Sequence, residues 1–335
     1  MIKNILVTGG AGRLGNYVCP YLKELGYNVA ATDLVTPNPE STNVKQHIPF
    51  IKADLLNIGD LMKAISFSQA DLVIHLGAIT GSTELQRPFE DKEFGPVASG
   101  RRSFNWRMEE DTCMKVNTMG TFYVLDACRR MDVKYCIAAS SYYAYGQGGQ
   151  IAGHPIDIPS LPITEDMPCQ PGDTYSLSKV LGEEIMKAFT RAYGMRCVAM
   201  RLNGVFYHDN PRAKFVYKFP VPCPTEKYKE GYLDGGLEEH VDSRDIARFC
   251  GLAIEKIDEL PNAFEAFNLW SCTHFDCETK VAYAIKYPQY GDMVNNIKGY
   301  DGIFSIEKAR KLLGYEPLYD WRKGTVDYTN DEYQK

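Results

Sequence analysis

The chain has 335 residues, of which 44% are hydrophobic and 24% are charged, and its formal net charge is −6. This length and composition predict a globular protein with one large domain or two modest ones. Without a basic excess to oppose a phosphate backbone, we expect no nucleic-acid partner. The sequence has no apolar run of about 18 residues and no room for a signal peptide before its first strand, so we expect a cytoplasmic protein without a membrane partner.

The ten cysteines include no Cys-x-x-Cys pair. The nearest approach to a metal site is the group Cys272, His274, Asp276 and Cys277, whose spacing does not match a structural zinc site and which has no second ligand pair. We therefore expect no metal, and we expect the cysteines to be reduced, as is usual in a cytosolic enzyme.

Apolar runs alternate with helical patterns through the first 200 residues. In chain order the sequence predicts strand 5–7, helix 13–25, strand 28–33, strand 49–54, helix 58–65, strand 71–76, helix 114–131, strand 134–139, helix 174–193 and strand 196–201. Strands that alternate with helices predict an α/β fold with a Rossmann-type, doubly wound parallel sheet.

The remainder of the chain is less regular. Residues 204–240 are rich in aromatic residues, proline and glycine, and helix 242–257, strand 266–270 and helix 306–313 are predicted after them. We expect an NAD-binding Rossmann domain over 1–203, with a return segment at about 238–258, and a smaller C-terminal substrate-binding region over 204–335.

A long charged insert occupies residues 86–111, and an insert of this size is typical of a lid or a substrate loop. Its arginines Arg101, Arg102 and Arg107 suit a carboxylate or a phosphate. Solvated surface charge is nevertheless the more common use of such residues.

Glycines follow the first strand in the pattern of a dinucleotide turn. Gly10, Gly12 and Gly15 fit the fingerprint, and Gly9 adds a second register. Asp33 ends the next strand at about the 20-residue distance that the fingerprint expects. Its carboxylate suits the adenosine ribose hydroxyls and repels a 2′-phosphate, so the sequence favours NAD over NADP.

Tyr175 and Lys179 lie four residues apart, on one face of a predicted helix. With 22 tyrosines in the chain this pair arises readily by chance. Its position gives it weight, because it opens the helix that follows the strand ending at Ser140 and Ser141.

These features occur together and in order, and the chain resembles the extended short-chain dehydrogenases/reductases of the NAD-dependent epimerase/dehydratase family. The resemblance is carried by residues 8–15, Asp33, Asp54 with Leu55, 75–78, Asn117, Ser140 and Ser141 with Tyr145 and Gly146, Tyr175 with Lys179, and 201–203. Together these pieces span about two thirds of the chain, and they are specific only in combination.

The resemblance implies roles for particular residues. Tyr175 would be the general base, and Ser141 would hydrogen-bond the reacting oxygen. Lys179 would hold the nicotinamide ribose and, together with the positive nicotinamide ring, lower the pKa of Tyr175. The implied cofactor-binding residues are Gly9, Gly12, Arg13, Leu14, Gly15, Asp33, Asp54, Leu55, Leu76, Gly77, Ala78, Asn117, Tyr175, Lys179, Leu202 and Asn203. The residues expected at the substrate are Thr80, Ser141, Tyr142, Tyr143 and Arg201. The resemblance also implies a homodimer formed through helices 114–131 and 174–193.

Two departures from the family pattern bear on the reaction. Tyr142 and Tyr143 follow Ser141 where the family's dehydratases carry an Asp-Glu pair, which argues against dehydration. The stretch between Asn203 and Val241 is shorter than in nucleotide-sugar epimerases, which weakens the case for a nucleotide-sugar substrate.

Three functions stay open from the sequence. The first is an NAD-dependent dehydrogenase that acts on a hydroxyl of a carbohydrate-like substrate, such as a sugar or a sugar acid. The second is an NAD-dependent sugar or nucleotide-sugar epimerase that retains its cofactor. The third is a non-catalytic NAD-sensing regulator, against which the presence of both Tyr175 and Lys179 argues.

Overall fold

The computed structural model describes residues 2–81, 109, 111–146, 157–207, 220, 222–225 and 239–323. The predicted lid at 86–111 lies almost wholly outside these residues. Arg101, Arg102 and Arg107, on which the anion-binding alternative rests, lie outside them as well.

A seven-stranded parallel sheet forms the centre of the fold, in the order β3-β2-β1-β4-β5-β6-β9. Its strands are β1 (Asn4–Thr8), β2 (Asn28–Asp33), β3 (Phe50–Lys52), β4 (Leu72–His75), β5 (Tyr135–Ser141), β6 (Arg196–Leu202) and β9 (Phe264–Leu269). The strand order reverses between β1 and β4, and ligands of such sheets bind beyond the carboxyl ends of the strands at this point. This architecture confirms the predicted Rossmann-type fold.

The helices of the described residues are α1 (Gly15–Glu24), α2 (Thr42–Lys45), α3 (Ile58–Ser68), α4 (Gly120–Arg130), α5 (Thr174–Tyr193), α6 (Ser243–Lys256), α7 (Thr279–Lys286) and α8 (Glu307–Leu313). A π-helical turn at Met114–Met119 leads into α4, and 3-10 turns occur at Tyr142–Tyr145, Pro288–Asn296 and Trp321–Lys323. None of the helices in the described ranges is both long enough and apolar enough to cross a membrane.

Helices cover both faces of the large sheet. Successive residues of a strand point to opposite faces, so each strand contributes to both cores. Ile5 and Val7 on β1 join the core that also contains α1 and α6, whereas Leu6 joins the core beneath α3, α4 and α5. The helix α6 packs closely on α1, since a Cβ at Gly251 would lie 2.9 Å from Leu25 Cδ1. The late segment therefore returns to the large sheet, and β9 completes that sheet beside β6.

A second, three-stranded sheet has the order β10-β8-β7. Its strands are β7 (Val205–Phe206), β8 (Glu239–Asp242) and β10 (Cys272–Thr273). Because β7 follows β6 and β10 follows β9 within three residues, this sheet grows from the carboxyl ends of the large one.

One expectation about the cysteines is wrong. Cys223 and Cys277, 54 residues apart, are joined by a disulfide, although the other cysteines for which the structure gives a state are free thiols. The backbone N–H of Cys223 also donates to Asp276 Oδ1 at 2.7 Å, so two adjacent contacts fix this segment. Within the described ranges, no three His, Cys, Asp or Glu side chains are grouped to hold a metal ion.

Candidate active site

The glycine turn joins β1 to α1 at the switch point of the sheet. Gly9 has a φ of +69°, and a Cβ there would lie 2.5 Å from the Gly77 nitrogen. A Cβ at Gly15 would lie 2.6 Å from the Gly10 carbonyl oxygen. Only glycine fits these two positions, and the turn brings backbone N–H groups to the start of α1, where a diphosphate is favoured.

Helix α1 begins at Gly15 rather than at the predicted Arg13, because Arg13 and Leu14 still belong to the turn. Gly12 closes that turn by donating its N–H to the Gly9 carbonyl at 3.0 Å. Gly12 and Arg13 are exposed, whereas Leu14 is half-buried against the core.

Asp33 ends β2 beside this turn. Its Oδ2 accepts a hydrogen bond from the Ala11 N–H at 3.1 Å, and its Oδ1 accepts one from the Val35 N–H at 3.4 Å. Each carboxylate oxygen keeps a lone pair for a further donor such as a ribose hydroxyl. The glycine cradle and this single carboxylate fit an adenine dinucleotide without a 2′-phosphate.

Asn43 is a supporting residue that the sequence analysis missed. It is buried in α2, and its amide donates to the carbonyls of Gly10 at 2.8 Å and Gly15 at 3.3 Å. No periodic pattern marks α2, which has only four residues, so this supporting contact could not be predicted from sequence.

Leu76, Gly77 and Ala78 follow β4 and are half-buried at the same edge of the sheet. The Leu55 side chain lies between the loop after β4 and the start of α4, because Cβ atoms at Gly77 and Gly120 would lie 3.0 Å and 3.2 Å from it. Asp54 precedes it and accepts the Leu56 N–H at 2.9 Å, which orders the turn after β3.

His75 connects the glycine turn to helix α4. Thr121 Oγ1 donates to the Asn117 carbonyl at 2.6 Å, so it accepts from His75 Nε2 at 3.2 Å. His75 Nδ1 is then the acceptor for the Thr8 hydroxyl at 2.7 Å. Burial lowers the pKa of His75 to about 3, so this histidine is a neutral structural link.

Asn117 lies in the π-helical turn, a distortion that is frequent at functional sites. Its Oδ1 accepts the Ile79 N–H at 2.8 Å and its Nδ2 donates to the Ile79 carbonyl at 3.0 Å. The same amide group donates to Ser178 Oγ at 3.0 Å. Asn117 therefore clamps the loop after β4 to the helix that carries Tyr175 and Lys179.

Ser141, Tyr175 and Lys179 come together although they lie on different elements. Ser141 ends β5, and Tyr175 and Lys179 lie in the first two turns of α5. Ser141 Oγ accepts the Tyr143 N–H at 3.2 Å and is hydrogen-bonded to the Tyr175 phenol. Lys179 Nζ donates to the Ala139 carbonyl at 2.9 Å and lies 5.5 Å from the centre of the Tyr175 ring.

Burial shifts the pKa values of both Tyr175 and Lys179. Burial raises the pKa of Tyr175 above its ordinary value, and the hydrogen bond with Ser141 only partly opposes this effect. The expectation that Lys179 and the positive nicotinamide ring together lower the Tyr175 pKa stays a prediction for the protein with its cofactor bound. Burial also lowers the pKa of Lys179 to about 8, which weakens its ability to stabilise a phenolate.

Arg201 does not face a substrate, contrary to the expectation from sequence. It is buried, and its Nε and Nη2 donate to the two oxygens of Glu183 at 2.9 Å and 2.8 Å. Nη1 donates to Tyr145 Oη at 2.7 Å and to the Glu165 carbonyl at 3.0 Å, and Nη2 also contacts Cys169 Sγ. All five N–H groups of this guanidinium are thus used within the chain.

The remaining residues expected at the substrate divide into buried and accessible ones. Tyr142 is buried in the core with its ring edge-on to Phe304, so it is a packing residue. Tyr143 is half-buried, and its ring meets the Tyr175 ring edge-on at 5.9 Å. Thr80 is exposed at the end of the loop after β4.

Leu202 and Asn203 end β6 and are both buried. Asn203 Oδ1 accepts the Gly204 N–H at 2.8 Å, and its Nδ2 donates to Glu239 Oε2 at 3.4 Å. Glu239 in turn accepts the Ile303 N–H at 2.6 Å, so Asn203 connects the large sheet to β8 of the second sheet.

Comparison with known proteins agrees with this geometry. The family model described as "NAD dependent epimerase/dehydratase family" matches residues 5–92 and 96–269. A Methanocaldococcus jannaschii protein provisionally named UDP-glucose 4-epimerase is 31% identical over 204 residues, which is 60% of this chain and 56% of that protein. The alignment thus spans only about half of that relative.

Two solved structures share the fold over nearly the whole chain. The UDP-glucose 4-epimerase of Thermotoga maritima, solved with UDP-glucose, is 21% identical, with a TM-score of 0.65 and 96% of each chain covered. That of Brucella ovis, solved with NAD, is 20% identical, with a TM-score of 0.63, covering 95% of this chain and 94% of that one.

Proposed function

The chain belongs to the NAD-dependent epimerase/dehydratase family, and from this membership we propose that it oxidises a hydroxyl-bearing carbon of a carbohydrate-like substrate. Membership confirms the predictions of the family and of NAD as the cofactor of an enzyme. The observation that carries the proposal is the meeting of Ser141, Tyr175 and Lys179 at the sheet edge that also holds the glycine turn.

The side chains suggest a division of labour. Bound NAD would accept a hydride from the substrate carbon, and in an epimerase would return it. Tyr175 Oη would exchange the proton of the substrate hydroxyl, and the Ser141 O–H would donate to the reacting oxygen, since its lone pair already accepts the Tyr143 N–H. Lys179, held on the Ala139 carbonyl, would favour the phenolate through its charge.

The dinucleotide contacts follow from the same edge of the sheet. We propose that Gly9, Gly12, Arg13, Leu14 and Gly15 hold the diphosphate and that Asp33 holds the adenosine ribose. Asp54, Leu55, 76–78, Leu202 and Asn203 would line the rest of the cofactor. Asn117 would act indirectly, because its amide is already bonded to Ile79 and Ser178.

Substrate contacts are proposed for Thr80, Ser141 and Tyr143. The half-buried ring of Tyr143 suits the apolar face of a sugar, and it stands directly beside Tyr175. We propose that the chain has a cofactor-binding part over 1–203 and a substrate-binding region over 204–335. From the second region, α6 and β9 return to the large sheet.

An epimerase with retained NAD is a second candidate, and the names of the relatives favour it. The M. jannaschii protein and both solved structures carry the name UDP-glucose 4-epimerase. A nucleotide-sugar therefore belongs beside free sugars and sugar acids among the substrates to be tested.

One experiment separates the two reactions. Purified protein is incubated with NAD and each of a set of free sugars, sugar acids and UDP-sugars, while NADH absorbance and the stereochemistry of the sugar are followed. Net NADH formation identifies a dehydrogenase, whereas a changed sugar without net NADH identifies an epimerase. Neither signal with any substrate would contradict the proposed class of reaction.

The Tyr175→Phe variant tests the proposed acid–base residue. It should lower turnover by about 100- to 10,000-fold, because it removes the proton-transfer group and leaves the ring in place. The matched control is Tyr193→Phe, which changes an exposed tyrosine at the other end of α5 and should keep full turnover. Full activity of Tyr175→Phe would instead revive a non-catalytic role for this residue.

We also propose that the protein forms a homodimer through α4 and α5. Met119, Phe122, Leu177 and Tyr193 lie on or beside these helices and are each at least 37% exposed. Exposed apolar side chains on these two helices favour association. A monomeric mass in light scattering would contradict this pairing.

A further inference from the structure

An arginine and two tyrosines meet above the glycine turn. The Arg13 guanidinium carbon lies 5.7 Å from the centre of the Tyr207 ring. The Tyr207 ring in turn lies 6.0 Å from the ring of Tyr17, tilted by 44°. Arg13 belongs to the turn, Tyr17 to the first turns of α1, and Tyr207 directly follows β7.

Arg13 differs from the other arginines near the fold's core. Arg201 uses every N–H group on chain oxygens or sulfur, and Arg196 is bonded to carbonyls at the end of α6. Arg13, by contrast, is exposed, and its guanidinium makes no hydrogen bond or ion pair with the described part of the chain, although its backbone carbonyl accepts the Asn16 N–H. Its five donors stay available to a ligand, while the guanidinium as a whole lies over the Tyr207 ring.

The position of Arg13 beside the glycine turn places its donors near the proposed diphosphate site. Arg13 precedes α1 by two residues, and the backbone of this turn is shaped to receive a diphosphate. A guanidinium binds phosphate oxygens through paired N–H groups that lie in its plane. The attraction between a guanidinium and an aromatic ring beneath it restricts the rotamers of the arginine, so less entropy is lost when the phosphate binds.

We propose that Arg13, Tyr17 and Tyr207 form a cation–π clasp that holds the Arg13 guanidinium in place for the cofactor diphosphate and slows the release of NAD. The inference rests on the proposed function for the NAD site and adds a device for retaining the cofactor. Arg13 contacts the phosphate, Tyr207 positions Arg13, and Tyr17 supports the Tyr207 ring.

The clasp also joins two parts of the molecule. Arg13 and Tyr17 belong to the large sheet and its first helix, whereas Tyr207 extends from the second sheet through β7, which pairs with β8. Glu239 at the start of β8 is the residue that accepts the Asn203 amide. Binding at the glycine turn is thereby coupled to the second sheet, from which we propose that the substrate region is built.

The test is the rate at which NADH leaves the protein, measured by stopped-flow fluorescence when excess NAD displaces it. Removing the ring in Tyr207→Ala should speed release by about two- to fivefold, the effect of one exposed cation–π contact. Tyr207→Phe keeps the ring and should release NADH at the wild-type rate. Arg13→Ala should speed release by about tenfold or more, because it removes charge-assisted hydrogen bonds.

The double variant Arg13→Ala/Tyr207→Ala gives the decisive comparison. If Tyr207 acts through Arg13, it should release NADH no faster than Arg13→Ala alone. The matched control is Tyr193→Ala, which removes another cation–π contact, the one with Arg129 at 5.0 Å, from the far end of α5 and should leave the rate unchanged.

The clasp would be overturned, while the proposed function stands, by a wild-type release rate for Tyr207→Ala or by the same acceleration from Tyr207→Ala with and without Arg13. Melting temperatures of all variants show whether a fast release reflects unfolding, and a fast Tyr207→Phe variant that melts as the wild type would also overturn the clasp. A wild-type protein that binds no NADH would remove the proposed function, and the clasp with it.

Discussion

Lys179 holds an ammonium group in a buried position beside β5. It is only 8% exposed, and its recorded hydrogen-bond partner is the Ala139 carbonyl. Burial disfavours the charged form, which is why its pKa falls from 10.5 to about 8. A buried ammonium group lowers the free energy of unfolding at neutral pH. Such a loss of stability is common where a reaction needs a charge.

The lowered pKa of Lys179 predicts a specific pH dependence of the free energy of unfolding. Between pH 8 and 10.5 the unfolded chain binds more protons at Lys179 than the folded chain, so the free energy of unfolding rises with pH in that window. Lys179→Met lacks this titration. Its free energy of unfolding relative to wild type should therefore fall by about 3 kcal/mol from pH 7 to pH 10.5 in urea titrations.

The control for this measurement is Lys187→Met. Lys187 lies two turns further along α5 and pairs with Glu184 on the surface, so its removal should leave the difference from wild type nearly independent of pH. Parallel pH profiles for wild type and Lys179→Met would contradict the buried-ammonium interpretation.

Residue identities alone predicted part of the site and misread another part. Tyr175 and Lys179 were predictable because their spacing places them on one helix face after a strand that ends in serines. Arg201 was misread as a substrate residue on the strength of the family resemblance. Its partner Glu183 lies on α5, and a pairing between two separate elements leaves no periodic signal in the sequence.

Helix α5 carries the proposed catalytic pair, and its first turn is fixed by Asp173. This N-cap residue accepts the Ser176 N–H at 2.9 Å on Oδ1 and the Ser176 hydroxyl at 2.6 Å on Oδ2. Tyr175 lies within the capped turn. The cap therefore determines both where the helix starts and where the phenol is presented.

Asp173→Ala should lower the free energy of unfolding by about 1 kcal/mol, within the range of lost N-caps, as measured by urea denaturation. Turnover with the substrate found in the screen should also fall, because the turn around Tyr175 loosens. Asp173→Asn keeps an oxygen acceptor for the Ser176 N–H and should lose much less of both. An Asn variant as unstable as the Ala variant would show that the carboxylate charge, rather than the cap, matters.

Elements with clear periodicity were predicted, and elements built on buried polar residues were not. The apolar runs gave strands β1, β2, β4, β5, β6 and β9 within a few residues. The strand β8 contains Glu239, His240 and Asp242, all buried, so it does not alternate in hydropathy. The predicted helix 114–131 is interrupted by a π-helical turn, a feature with no signature in residue type.

At the scale of the whole molecule, the disulfide between Cys223 and Cys277 links two distant segments. Sequence spacing gave no reason to pair them, because they are 54 residues apart and belong to no cysteine motif. Disulfides persist in oxidising surroundings and are rare in the cytosol. The oxidation state of Cys223 and Cys277 in protein taken from cells therefore tests the expectation of a cytoplasmic location.

Reduction of this bond should destabilise the fold. Closing a loop of this length stabilises a protein by about 2–4 kcal/mol, so a thiol reductant should lower the wild-type free energy of unfolding by that amount. Cys223→Ser/Cys277→Ser should match the reduced wild type and respond to no reductant. Cys169→Ser, at a partly exposed free thiol, is the control. If the reductant left the wild-type free energy of unfolding unchanged, the result would contradict the Cys223–Cys277 disulfide.

The place of β9 beside β6 has a consequence for synthesis on the ribosome. The hydrogen-bonding edge of β6, complete at Leu202, finds its partner only when β9 is complete at Leu269. At about 5–20 residues per second, the nascent chain exposes this edge for roughly 3–13 s. An unpaired edge of apolar residues invites pairing with other chains, so this interval is when the newborn protein most needs a chaperone.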